Sequence, residues 1–403
     1  MATTQKQPGN RPRLPVYLDY QATTPVDPRV LDAMLPYFGE KFGNPHSTTH
    51  LFGREAEAAV ERARGEVAAL IGAEASEIVF TSGASESDNL AIKGAARFER
   101  GGRRHIVTVA TEHKCVLESC KAMAAEDFRL TVLPVETSGL VDLGRLAATL
   151  AEDTLLVSIM AVNNEIGVIQ PLAEIGALCR ERGVYFHSDA AQGVGKVPLD
   201  VEAMAIDLMS ISGHKVYGPK GIGALYVRRR PRVRLAPLMS GGGQERGLRS
   251  GTLPTALCVG LGAACAIASA EMAAEAVRLK ALGARLLGGL AARVPGLAVN
   301  GDRGRRIAGN LNLAFPGVDA EVLMQHLEDI ALSSGSACTS AAIEPSYVLR
   351  ALGLDDALAR ASLRIGLGRF TQADEIDYAV EAIAAAVESL RREAPMSAAA
   401  TGG

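Results

Sequence analysis

Short apolar runs alternate with helical patterns along the first two thirds of the chain. "EIVFTS" (77–82) reads as a buried strand, and "SESDNLAIKGAARFER" after it as a helix. "HIVTVA" (105–110) precedes a helix through Cys115 and Cys120, both read as packing residues. "TLLVSIMAV" (154–162), "VYFHSD" (184–189) and "DLMSIS" (207–212) read as further strands, with the helix "LAEIGALCRERG" between the first two. Strand–helix alternation of this kind predicts an α/β fold with a mainly parallel sheet and helices on both faces. Polar residues gather where these strands end: Ser82, Asn163, Asn164, Asp189 and Ser212. Open α/β sheets bind ligands along that edge.

From about residue 255 the pattern changes. An alanine-rich helical stretch runs to about 293, followed by "LAVNG", "NLNLAF", "IALSS" and "SLRIGL" as short strands with helices between them. This predicts a second, smaller α+β domain. The expected division is a large domain over 25–262, a small domain over 1–24 and 263–393, and a low-complexity, disordered tail over 394–403.

Composition narrows the class. The 403 residues are 48% hydrophobic and 22% charged with net charge −3, as in soluble globular chains and without the basic excess of nucleic-acid binders. The run "VRRRPRVR" (227–234) reads as a solvated turn, the alternative being a dock for an acidic partner or RNA. Six cysteines without a C-x-x-C pair argue for a reducing compartment and against a disulfide scaffold or zinc knuckle. The N-terminus "MATTQKQPGNRPRLP" has no apolar core of a secretory signal; it is basic, but short and proline-broken for a transit peptide. No run of about 18–20 bulky apolar residues predicts a membrane span.

Four stretches carry chemistry, each with an ordinary alternative when read alone. In "SISGHKVYGPKGIGALYV" (210–227) the spacing fits neither a P-loop nor a dinucleotide fingerprint. It leaves Ser212 and His214 as phosphate donors and Lys215 as either a desolvated amine able to condense with a carbonyl or an exposed lysine in a turn. Asp189 in "VYFHSDAAQ" could pair with a protonated pyridine nitrogen or cap a helix. In "FTSGASESDNLAIKG" the N–H groups of Ala84 and Ser85 face an anion at a helix N-terminus, or merely open a capped helix. His113 in "TEHKCV" could stack on a planar ring or be an ordinary satisfied histidine. Together the four supply the parts of one pyridoxal phosphate site. The lone thiol in "SSGSACTS", Cys338, sits among small residues that give little anchorage, as a mobile nucleophile would; the alternative is a small buried hydrophobe.

These stretches, with "YLDYQATTPVDPRV", "FGNPHS", "VNNEIGV", "GGGQERGLRSGT" and "EPSYVLRALGL", closely resemble the cysteine desulfurases of the iron–sulfur-cluster assembly type, within the fold type I pyridoxal phosphate enzymes. The resemblance spans about residues 16–370. It implies that Lys215 carries the cofactor covalently, and that Ala84, Ser85, Ser212 and His214 hold its phosphate. Thr252 would reach the phosphate of the neighbouring subunit of a homodimer. It further implies that His113 stacks on the ring and acts as an acid, Asp189 pairs with the ring nitrogen and Gln192 bonds the phenolic oxygen. Asn164 would contact cofactor and substrate, while Arg364, assisted by Asn44, grips the substrate carboxylate. Cys338 would take the sulfur of L-cysteine, leaving L-alanine, and pass it to an iron–sulfur scaffold protein and other acceptors. It is also a candidate transient ligand of a [2Fe-2S] cluster shared with such a scaffold.

Two departures stand out. Ser85 replaces the usual threonine, keeping the hydroxyl, and the chain reads "SAAATGG" where many relatives carry a Trp- and acid-containing scaffold-docking segment. The expected location is cytoplasmic, with no membrane or direct nucleic-acid partner. An aminotransferase or selenocysteine lyase would share Lys215 and Asp189, and a cofactor-free carrier of sulfane sulfur would need only Cys338.

Overall fold

The structure, a computed structural model, describes residues 12–98, 102–334 and 345–393. The expected mobile Cys338 segment and the expected disordered tail therefore lie outside the described residues. The chain forms two compact units, one of residues 21–274 and 302–307, the other of residues 1–20, 275–301 and 308–403.

The larger unit is built on seven strands: β1 (Ile78–Thr81), β2 (His105–Val109), β3 (Arg129–Leu133), β4 (Thr154–Ser158), β5 (Tyr185–Asp189), β6 (Leu208–Ser212) and β7 (Gly223–Val227). Their order is β1-β7-β6-β5-β4-β2-β3. All pairings are parallel except those of β7, which runs antiparallel to both neighbours. Alternate residues of a strand face opposite sides, so each strand feeds two cores. Ile78 and Phe80 point into one, with Val107, Val157 and Phe186; Val79 points into the other, with Ile106, Leu156 and Leu208.

Helices cover both faces. α1 (Leu51–Leu70) packs Val60, Ala63 and Val67 into the first core. α2 (Ala84–Phe98) and α3 (Lys114–Ala124) supply Leu90, Ala91, Ala95, Val116 and Cys120 to the second. β4 ends at Ser158, so Asn163 and Asn164 stand on the following loop rather than at the strand end.

Register places the ligand edge. Thr81 of β1 lies opposite Gly223 of β7, Gly223 opposite Ser212 of β6, and Ser210 opposite Asp189 of β5. The residues after β1, the lysine turn after β6 and the aspartate of β5 thus emerge side by side. This closeness depends on glycine. A Cβ on Gly223 would stand 2.4 Å from the Ile211 carbonyl oxygen and 2.6 Å from Gly83 Cα, and backbone cannot rotate away. Gly223→Ala is expected to cost about 1–3 kcal/mol of stability in denaturant titration. Gly283→Ala, at a helical site with open space around it, should gain up to about 1 kcal/mol. An unchanged unfolding midpoint for Gly223→Ala would contradict the close-packing reading.

The smaller unit contains an antiparallel sheet of β8 (Ala298–Val299), β9 (Asn310–Ala314) and β10 (Ser362–Gly366), with β9 central. Its core gathers Val16, Leu313, Leu363 and Ile365 against α4 (Ala373–Glu393), through Ile376, Val380 and Ile383. One further helix, Thr255–Ala291, is long and apolar enough to cross a membrane by length and composition, although it holds no run of bulky apolar residues. Its apolarity comes largely from alanine. Cys258, Leu261 and Cys265 enter the large unit's core, Leu279, Leu286 and Leu290 the small unit's, and Glu271, Glu275, Arg278 and Lys280 interrupt it. It is a core helix.

Candidate active site

The lysine turn follows β6 as a short 3-10 segment, Gly213–Lys215. Lys215 Nζ donates to the Gln21 carbonyl at 2.6 Å and the Ala22 carbonyl at 2.7 Å. His214 Nδ1 lies 3.0 Å from Thr23 Oγ1, while its carbonyl accepts from Thr24 N at 2.9 Å. The stretch 21–24 thus ties down both residues. Burial, aided by the charges of Lys215, Lys220 and Lys196, pulls the His214 imidazole down to about 4, so it is neutral at neutral pH and donates from one nitrogen only.

Beyond β1 the chain turns through Gly83, with φ 151°, into α2. Only glycine adopts that φ freely. The first N–H groups of any helix lack intrahelical partners. Here Ser82 N–H is taken by Glu86 Oε2 at 2.8 Å, and Glu86 is in turn held by Arg249 Nε at 2.9 Å. Gly83 N–H reaches Thr81 Oγ1 at 3.4 Å, and the next N–H groups at this helix start are those of Ala84 and Ser85.

Asp189 ends β5 buried, its Oδ1 accepting from Ala191 N at 2.9 Å. Burial pushes its carboxyl up to about 6, and the Asp88 carboxylate adds to this while His113 opposes it. A group so placed gains from a cation set against it. Gln192 donates Nε2 to the Gln21 carbonyl at 2.8 Å and accepts from Lys196 Nζ at 2.6 Å. Asn163 Nδ2 donates to the Thr111 carbonyl at 2.9 Å, and its Oδ1 accepts from Glu165 and Ile166, fixing the loop on which half-buried Asn164 stands.

His113 caps α3: its Nδ1 accepts from Cys115 N at 3.3 Å and lies 2.9 Å from Cys115 Sγ. The thiol in turn donates to Asp88 Oδ2 at 2.8 Å. Cys115 was expected to be a packing residue. It does pack against the second core, but its sulfur also belongs to a polar cluster, and its thiol is pushed far up by burial and by the acids Asp88 and Asp189. Asp88 escaped the sequence reading because it sits in the polar string "SESDN". Helical phase was the available signal, since Asp88, Ala91, Ile92 and Ala95 share one buried face.

Other candidates lie apart. Thr252 is exposed after the loop Gly241–Gly251, and Asn44 is exposed with its Oδ1 accepting from His46 N at 3.0 Å. Arg364 belongs to the smaller unit, on β10, where it donates to Asp19 Oδ1 at 2.8 Å; its N–H bonds the Ser333 carbonyl at 2.7 Å. The Cys338 segment begins just after that anchor. In the basic run Arg228 is buried beside Glu202 and Asp207, whereas Arg229, Arg230, Arg232 and Arg234 are exposed as expected.

The larger unit's residues fit a planar, phosphorylated, aldehyde-bearing pyridine. Gly83 leaves open space where a side chain would stand, at the mouth of a helix start with N–H donors. Gln21 Oε1 is buried without a hydrogen-bond partner among the described residues, next to the carbonyl that holds Lys215. A lysine amine, a buried carboxylate and a histidine complete the donor set.

The Aminotransferase class-V family matches residues 16–379, and the chain belongs to this family, whose members are pyridoxal phosphate enzymes of fold type I. Among its relatives, the chain is 57% identical over 387 residues to the cysteine desulfurase IscS of Rickettsia felis, covering 96% of this chain and 94% of the relative. It is 59% identical over 382 residues to the human cysteine desulfurase, covering 95% of this chain and 84% of the relative. Among solved structures, a NifS-like protein superposes with TM-score 0.87 at 37% identity, covering 93% of this chain and 99% of that one. A structure described as SspA in complex with cysteine gives 0.78 at 39%, covering 89% of this chain and 100% of that one.

Proposed function

We infer that the protein is a pyridoxal phosphate-dependent cysteine desulfurase that converts L-cysteine to L-alanine and passes the sulfur, as a Cys338 persulfide, to acceptor proteins. The observation that carries this reading is the single edge at which the Lys215 turn, the Asp189 carboxylate and the Gly83 helix start meet. The strong likeness to chains named cysteine desulfurase supports it along nearly the whole length.

Lys215 would hold the cofactor, Ala84, Ser85, Ser212 and His214 would hold its phosphate, Asp189 would pair with the ring nitrogen, His113 would stack on the ring, and Gln192 and Asn164 would bond its polar groups. Bound there, pyridoxal phosphate supplies an electron sink that acidifies the substrate's Cα hydrogen. Lys215 Nζ takes that proton and returns one. His113 holds the proton donated as the C–S bond weakens. Arg364 orients the substrate carboxylate through its planar fork, with Asn44 assisting. The Cys338 thiolate attacks the substrate sulfur; the S–S bond forms as the C–S bond breaks, the electron pair stays with carbon, and protonation there yields alanine. No external oxidant is needed.

The iron–sulfur scaffold is the principal acceptor in this reading, other thiolation acceptors sharing the same persulfide. A homodimer is part of this reading, resting on the family resemblance that assigns Thr252 to the neighbouring subunit's phosphate. The cytoplasm is the working compartment, in keeping with five free cysteines among the described residues.

The deciding experiment is intact-mass measurement after L-cysteine treatment and removal of excess substrate. Wild type should gain one sulfur atom, and Cys338→Ala none, while both bind cofactor. A sulfur adduct of equal yield on the variant would reject Cys338 as the acceptor; absence of alanine from wild type would reject the activity.

A further inference from the structure

A buried chain of three side chains stands behind His113. Asp88 on α2 is fully buried and accepts the Cys115 thiol proton at 2.8 Å; Cys115 Sγ lies 2.9 Å from His113 Nδ1. The Cys115 backbone N–H, an obligatory donor, also points at Nδ1 at 3.3 Å. A nitrogen that receives an N–H cannot carry its own proton in the neutral ring, so the neutral His113 proton sits on Nε2. A thiol suits the position between carboxylate and imidazole because sulfur both donates and accepts, if weakly.

We propose that Asp88, acting through the Cys115 thiol, is a positioning residue that stabilises the His113 ring when it takes up a second proton, while the Cys115 backbone N–H holds the neutral ring's proton on Nε2. In the neutral state Nδ1 accepts. When the ring is protonated, the new Nδ1–H donates to Sγ while the thiol keeps its own proton, directed at Asp88 Oδ2. The buried negative charge is thus relayed to the imidazolium with no bond broken. The inference rests on the desulfurase reading only for its catalytic meaning, namely that the same ring atom gives up a proton on every turnover.

Several groups bear on the cluster and are unaltered in the test. His187 Nε2 on β5 lies 3.5 Å from Asp88 Oδ1 and 3.0 Å from Ser210 Oγ, and its Nδ1 lies 2.8 Å from Ser158 Oγ. Asp189 stands close enough that one carboxylate oxygen each of Asp88 and Asp189 and the Cys115 sulfur fall within 4.8 Å of one another. Glu112, fully buried and held well above the usual carboxylate range by that burial, bonds Met160 N and feels Asp189 and Asp88. Ser85 opposes the upward push on the Cys115 thiol.

The test uses the full-length holoenzyme with nitrogen-15 labelled histidine. His113 should show the Nε2–H pattern near neutral pH. In Asp88→Asn and in Cys115→Ala the midpoint of its titration should fall by about one pH unit, because the imidazolium loses its counter-charge or the link to it. Cys115→Ser, which keeps a donor–acceptor atom, should restore most of the difference. The corresponding limb of the pH–rate profile should move with the titration, which a purely structural loss would not produce. An Nδ1–H tautomer, or a midpoint unmoved in Cys115→Ala, overturns the proposal. Should Asp88→Asn not fold, Cys115→Ala and Cys115→Ser decide alone. Because the titration is read without turnover, an enzyme that made no alanine would reject the desulfurase reading and leave this result standing.

Discussion

Lys215→Ala should abolish alanine formation, with a loss of at least about 10⁴-fold, while the chain keeps its fold. The amine has two tasks at one place, holding the cofactor and moving the Cα proton. General acid–base steps alone are each worth about 10²–10⁴ in rate. Folding should survive because the amine is half-buried and its hydrogen bonds to the Gln21 and Ala22 carbonyls are each worth about 1 kcal/mol net, or somewhat more for a charged donor. The check is alanine release from L-cysteine alongside borohydride treatment, which should fix the cofactor to the peptide containing residue 215 in wild type only. A variant retaining a tenth of the activity would place the proton transfer elsewhere.

The largest stability effect is expected at Arg64→Ala. Arg64 donates to both oxygens of Glu245 at 2.8 Å, and also from Nη1 to the Ile78 carbonyl at 2.8 Å. Glu245 further accepts from Phe80 N at 2.6 Å, and the guanidinium lies 4.8 Å from the Phe80 ring centre. Both charged side chains are nearly inaccessible, at 4% and 2% exposure. Removing one partner strands the other in a medium that cannot solvate it, a cost of about 3–5 kcal/mol. The pair also pins a strained backbone, since Glu245 and Arg246 take φ of 47° and 59°, where side chains are disfavoured. Urea titration should show a midpoint shift of that size. The double variant Arg64→Met, Glu245→Gln should lose clearly less than the sum of its single changes. Additive losses would mean that the two do not act as a pair.

Much of this architecture could be read from residue patterns, and the omissions have physical causes. β1, β2, β5 and β6 are fully buried or nearly so, and their runs of Val, Ile, Leu and Phe declare it. β3, "RLTVL", lies at the sheet edge with only Leu133 buried, so no apolar run or clean alternation marks it. β7 follows a stretch crowded with glycine and proline, and its antiparallel direction is set by partners far away in sequence. Lys215 and Asp189 were legible because reactive polar groups at the ends of buried strands are conspicuous. Asp88 and Cys115 were not, since their meaning lies in α2 and α3 meeting through side chains 27 residues apart. The short "GASESD" start of α2 announced a helix N-terminus, but the reading missed that Glu86 claims the N–H on Ser82.

The helix Thr255–Ala291 is continuous over 37 residues, about 55 Å of unbroken rod, yet the division between the units falls within it, between Ala274 and Glu275. Ordinary multidomain proteins place such a border in a loop, where a gene fragment can be trimmed or exchanged with little penalty. Here any excision at the border leaves a severed cylinder with four orphaned carbonyls on one stump and four orphaned amides on the other. Recombination between relatives is therefore expected to preserve this rod whole, and shuffling one unit means inheriting a portion of its neighbour's scaffold.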